Sequence, residues 1–131
     1  MRGLASTWWW GFMLFLWMGV IFFFSHQPGS GKDWEPPLWY VLERKSAHVV
    51  EYAILMALAL RWLSLLYLQE SWKKVGLASF LLAVTYGFLD EIHQSFIFGR
   101  GARLSDVLID AGGAFLIGLL YTAWKRRQKT L

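Results

Sequence analysis

The sequence predicts an all-α membrane protein of four transmembrane helices, and three observations carry that prediction. The 131 residues are 56% hydrophobic and only 17% charged, against roughly 45–50% and 25% in ordinary soluble domains. Aromatic residues make up 18%, including nine Trp and ten Phe. The charges are crowded together, which leaves four long apolar stretches nearly free of them. A soluble globule needs its charge spread over its surface, a disordered chain needs far fewer aromatics, and a disulfide scaffold needs cysteine. There is no cysteine, which also excludes thiol nucleophiles and thiolate metal ligands.

A spanning helix takes roughly 20 apolar residues. The first such stretch, about residues 8–24, contains no charge. Its apolar run exceeds a usual leader core and no A-x-A-like site follows, so it is read as a retained span. The loop over residues 25–45 is long for so small a protein. Pro36 and Pro37 are placed to open a short helix there, lying in the membrane interface through Trp34, Trp39 and Tyr40. An unstructured connection is the alternative. The second span runs over about 46–68, the third over 75–98 and the fourth over 104–124. Trp8, Trp9, Trp39, Trp72 and Trp124 lie near span ends, as an interfacial aromatic belt requires. All 131 residues are read as one transmembrane domain.

An even number of spans puts both termini on one side. That side holds Arg2, Arg61, Lys73, Lys74 and the basic tail Lys125, Arg126, Arg127 and Lys129. The other holds Lys32, Arg44, Lys45, Arg100 and Arg103. The excess of basic residues predicts N-in and C-in. On that topology the inner side sums to +7 and the outer to −3, within a net charge of +4. A basic run directly after an apolar helix reads as a cytoplasmic anchor, so nucleic acid is not an expected partner. The expected environment is the bilayer of a bacterial cytoplasmic membrane.

Ionisable residues within a span cost roughly 2.5–3.5 kcal/mol each at its centre and so mark functional candidates. Lys45, His48, Glu51 and Tyr52 open the second span. Tyr86, Asp90, Glu91, His93 and Gln94 close the third. Arg100 and Arg103 occupy a short loop, and Ser105, Asp106 and Asp110 open the fourth. Three chain segments thus bring polar groups to one depth on the outer side. At 3.6 residues per turn, Ala83, Tyr86, Gly87, Asp90, His93 and Gln94 form one stripe, with Glu91 at its border. Asp106, Asp110, Gly113 and Ile117 share another face. The pairs Ala53/Ala57, Ala83/Gly87 and Ala114/Gly118 suit close helix approach in lipid.

Each residue also has a structural reading. Arg103 and Asp106 could pair while Ser105 and Asp106 cap the fourth span, and Glu51 could pair with Lys45 or Arg100. As chemistry, His48, Asp90 and Glu91 are the acid–base candidates. Lys45, Glu51, Tyr52, Gln94, Arg100, Arg103, Ser105, Asp106 and Asp110 are the binding candidates, the arginines suiting a phosphate or carboxylate. The spacings His48/Glu51 and Asp90/His93 match helical carboxylate–histidine metal sites. A polar stripe produces such spacings readily, so no cofactor is expected and a divalent metal is left as an alternative. No phosphate loop, Gly-x-Ser-x-Gly elbow or HExxH motif occurs.

These same residues carry a family resemblance. The run Lys45-Ser-Ala-His48-Val-Val-Glu51-Tyr52, then Asp90-Glu91-Ile-His-Gln94-Ser-Phe96, then Gly99-Arg100 and Ser105-Asp106-Val-Leu-Ile-Asp110-Ala-Gly112 resembles the VanZ-like family. The stretch Phe22-Phe23-Phe24-Ser25-His26-Gln27-Pro28-Gly29 resembles that family's end of span one. The resemblance covers residues 22–120 and implies a small multi-spanning bacterial membrane protein. The family's namesake is associated with resistance to the glycopeptide teicoplanin, without an established reaction. The family's polar signature falls on Lys45, His48, Tyr52, Asp90, Glu91, Gln94, Arg100, Ser105 and Asp106. Phe98 stands where the family often has Pro, which predicts a less sharp turn before Gly99-Arg100. His26 replaces a usual small hydroxyl residue.

The function expected is recognition of an anionic lipid or cell-wall precursor from the outer leaflet. An enzyme hydrolysing or transferring a lipid-linked group is the alternative. An ion- or proton-coupled carrier comes third, because the inner halves of the spans hold only Arg61.

Overall fold

The computed structural model describes residues 2–29 and 35–129, with side chains from residue 4 to residue 128. Four helices follow in chain order: α1 (Arg2–Ser25), α2 (Leu38–Leu66), α3 (Trp72–Ser95) and α4 (Leu104–Lys129). All four are long and apolar enough to cross a membrane. The protein is therefore a multi-pass membrane protein, with its four spans in the expected places.

The boundaries differ most at α2. Pro37 is extended, at φ −63° and ψ 153°, and stands immediately before Leu38. From there the helix runs unbroken to Leu66, so the short interfacial helix expected beside Trp39 and Tyr40 is the first two turns of α2 itself. Trp34, which belonged to the same expectation, lies outside the described residues. Nothing between Leu38 and Lys45 breaks a helix; the charges of Glu43, Arg44 and Lys45 only end its apolar character. At 1.5 Å per residue, 29 residues reach roughly 43 Å, against a hydrocarbon layer of about 30 Å. The surplus carries the start of α2 beyond the apolar layer.

The core is a narrow seam along the bundle axis. Leu14 and Ile21 of α1, Tyr52, Leu55, Met56 and Ala59 of α2, Ala83 of α3 and Ala114 of α4 are buried in it. The outward faces are apolar as well. Phe12, Phe15, Phe23, Leu81, Phe88, Leu108 and Phe115 are all exposed, which in water would be a severe aggregation liability and in lipid is an ordinary contact surface. Trp8 is 79% exposed and Trp39 65%, consistent with their interfacial places.

Helix approach is set by small residues, as expected, but by a partly different set. Ala83, Gly87 and Ala114 are buried, whereas Ala57 faces outward. Two helices come close at Gly113 of α4, where a Cβ would collide with the Val49 carbonyl of α2. Midway along α1, two hydrogen bonds tie it to α2 and α3: Trp17 Nε1 donates to the Glu51 carbonyl at 2.9 Å, and Tyr86 Oη donates to the Met18 carbonyl at 2.6 Å. At the far end, Ser71 caps α3 by accepting from the Lys74 amide. Beside it Lys74 Nζ lies 2.8 Å from Glu70, holding that carboxyl below its ordinary value.

The loop between α3 and α4 turns sharply without a proline at 98. Gly99 adopts φ 73°, and the Arg100 amide donates back to the Ile97 carbonyl at 3.1 Å. A positive φ is a conformation that glycine alone adopts freely, so glycine does here what Pro was expected to do. The Phe98 carbonyl accepts from the Gly29 amide at 2.9 Å, fastening the exit of α1 to this loop.

Candidate functional site

The end of α1, the start of α2, the end of α3 and the start of α4 meet at one end of the bundle, opposite the basic tail. The candidates expected to act together fall there and divide into three groups.

Asp90 anchors the first group. It is buried, and its Oδ2 accepts from Ser25 Oγ at 2.7 Å and from Gln94 Nε2 at 2.8 Å. Gln94 in turn accepts through Oε1 from Arg100 at 3.2 Å, and a second Arg100 nitrogen donates to the Phe24 carbonyl at 3.1 Å. Asp90 and Gln94 share a face because they are four apart on α3. Ser25 comes from the last residue of α1 and was absent from the candidates. A lone hydroxyl at the end of a charge-free span was the available signal.

The second group pairs His48 with Asp110. His48 Nδ1 lies 3.0 Å from Asp110 Oδ1, across the α2–α4 contact, and Asp110 is 0% exposed. The partner of His48 is therefore Asp110, and neither Asp90 nor Glu91 bonds it. Tyr52 and Gly87 pack against the same carboxylate: a Cβ on Gly87 would lie 3.1 Å from the Tyr52 ring and 3.2 Å from Asp110 Oδ2. Tyr52 Oη, Asp110 Oδ2 and Glu91 Oε1 are buried without hydrogen-bond partners among the described residues.

Glu91 forms the third group. Expected at the border of the stripe, it is buried, and its Oε2 accepts the Arg103 amide at 2.9 Å. Its carboxylate thereby holds the entry to α4. Several alternative pairings are not made. Arg103 and Asp106 form no ion pair, and Glu51 pairs with neither Lys45 nor Arg100; among the described residues the close acid–base contacts are His48–Asp110 and Glu70–Lys74. Ser105 donates to Asp106 at 3.1 Å. The i, i+3 pairs His48/Glu51 and Asp90/His93 do not close either. His93 turns to His26, just beyond the end of α1, with ring nitrogens 3.2 Å apart and the Phe22 ring tilted against His93 at 4.5 Å. Among the described residues no group of three or more His, Asp or Glu is gathered as metal ligands would be.

Above these groups opens a cavity of about 150 Å³. Its charged lining is mostly cationic, Arg44, Lys45, Arg100 and Arg103 against a single carboxylate, Asp106, and Tyr40, His48 and Gln94 are its other polar side chains. Arg44 was counted in the charge balance but not among the candidates. It reaches the cavity because α2 starts eight residues before the expected boundary. Burial, with Arg44 adding to it, lowers the pKa of the Arg100 guanidinium from its ordinary value, and its Nε is buried without a partner among the described residues. Two cations held close, one of them with an unused donor, make a recess suited to an anion.

A family model described as VanZ/LLP1 matches residues 10–125. No curated protein and no solved structure matches the chain.

Proposed function

The chain belongs to the VanZ/LLP1 family, and from that premise we propose that it recognises an anionic, lipid-linked component of the cell envelope in the cavity between α2, α4 and the α3–α4 loop. The observation that carries this reading is the composition of the cavity wall, four cations against one carboxylate. The basic tail and the positive-inside rule favour an outward-facing cavity in a bacterial cytoplasmic membrane. Pro36, Val41 and Ile109 at the same recess supply apolar surface for the part of the ligand next to a headgroup.

Calorimetry of the purified protein with mixed micelles tests the proposal, phosphatidic acid serving as the anionic probe and phosphatidylcholine as the control. Saturable binding of phosphatidic acid is expected, weakened about tenfold or more in Arg100→Ala and in Arg44→Ala. A charge-assisted hydrogen bond is worth about 1.5–3 kcal/mol and 1.4 kcal/mol is tenfold. Equal binding of the two lipids, or unchanged binding in both variants, overturns the reading. Glycopeptide sensitivity of cells expressing each variant gives the accompanying phenotype.

A further inference from the structure

Recognition of an anion does not require a histidine held by a buried carboxylate, yet one lines this cavity. His48 Nδ1 is 3.0 Å from Asp110 Oδ1. A carboxylate only accepts, so Nδ1 carries the hydrogen, and in the neutral ring Nε2 keeps its lone pair. The arrangement is fixed from behind. Asp110 is fully buried, and Gly113, three residues further along α4, is pressed against the backbone of Val49, the neighbour of His48. A close backbone approach of α2 and α4 thus adjoins the bond that holds the imidazole. His48 itself remains 14% exposed and stands in the cavity wall with Arg44, Lys45, Arg100 and Arg103.

We propose that the cavity hydrolyses a lipid diphosphate, with His48 as the general base and Asp110 as its positioning residue. The inference rests on the recognition reading above and adds a reaction to it. Water oxygen bonds to the terminal phosphorus while His48 Nε2 takes one of the water's protons. The bond between that phosphorus and the bridging oxygen breaks in line, and its electron pair leaves with the lipid monophosphate. Inorganic phosphate is the second product, and the imidazolium returns its proton to solvent. The balance is lipid diphosphate plus water giving lipid monophosphate, phosphate and a proton. A phosphate leaving group departs as an anion and needs no proton, so one base suffices where a simple phosphate ester would also need an acid on the opposite side. The four cations take the charge that spreads over the phosphoryl oxygens.

The test measures phosphate release from farnesyl diphosphate by the full chain in lipid nanodiscs, beside binding of the same probe. His48→Asn keeps a side-chain N–H for Asp110 but has no basic nitrogen. Its release rate is expected to fall about a hundredfold or more, with binding and thermal unfolding unchanged. His48→Ala should recover release when free imidazole is added, a response that a purely structural histidine would not give. Wild-type protein that binds the probe and releases no phosphate overturns hydrolysis and leaves recognition standing, whereas absence of binding overturns both. Wild-type rates in His48→Asn, or failure of imidazole to restore His48→Ala, also overturn the role of His48.

Discussion

Gly113 shows how one missing side chain can position several others. A Cβ there would meet the Val49 carbonyl, and backbone cannot give way as the end of a side chain can. Gly113→Ala should therefore push α4 from α2 and cost about 1–3 kcal/mol, the usual range for overpacking. Thermal unfolding in detergent would show it. Slower phosphate release should accompany the loss, since the same shift separates His48 from Asp110. A second residue-scale prediction concerns Asp90, which accepts from both Ser25 and Gln94. Ser25→Ala removes one donor and should cost about 0.5–1.5 kcal/mol. Asp90→Ala strands the buried Ser25 hydroxyl hydrogen and leaves Gln94 Nε2 only its longer bond to Ser25 Oγ at 3.3 Å, and should cost more, about 1–3 kcal/mol. Unfolding of the two single variants and the double variant tests this. If the costs of the two singles simply add, the bond between them is worth nothing.

At the scale of helices, α1 is the element least embedded in the bundle. Its core contribution is Leu14 and Ile21, and midway along it Trp17 and Tyr86 make bonds to backbone carbonyls that tie it to α2 and α3. Trp17→Phe and Tyr86→Phe keep an aromatic ring at each place and remove the donor. Each is expected to cost about 0.5–1.5 kcal/mol, and hydrogen exchange should rise in α1 while α2, α3 and α4 stay protected. A uniform rise across all four helices would show that α1 unfolds only with the rest. The spans themselves were legible because apolarity and length decide them. The start of α2 was not, because Glu43, Arg44 and Lys45 end an apolar count while leaving helical hydrogen bonding untouched. The partners within the site were legible only in part. Helical spacing fixes the angle of Asp90, Glu91 and Asp110 on their helices, but not which neighbour each meets. His48 and Asp110 are 62 residues apart, and their pairing depends on where Gly113 lets α4 approach. Ser25 and Arg44 were missed for a related reason: each enters the site from an element end that extends beyond its apolar run.

For the whole molecule, the sum of charges conceals how they are sorted. On the expected topology the outer side totals −3, which alone would suggest a surface that repels anions. Asp90, Glu91 and Asp110, however, are buried within the bundle, while Arg44, Lys45, Arg100 and Arg103 line the cavity. The accessible recess is thus cationic on the side whose sum is negative. Acids are drawn inward because each finds donors there: Asp90 from Ser25 and Gln94, Glu91 from the Arg103 amide, Asp110 from His48. The use of that recess depends on which compartment it faces, and this can be measured directly. The chain has no cysteine, so a single introduced one reports a single position. Gly101 lies in the exposed α3–α4 loop with nothing near its missing side chain, and Gln128 lies exposed near the end of α4. In intact cells a membrane-impermeant thiol reagent should label Gly101→Cys, and should reach Gln128→Cys only after permeabilisation. The opposite pattern would turn the cavity toward the cytoplasm and rule out a ligand taken from the outer leaflet, although every distance within the site would be unchanged.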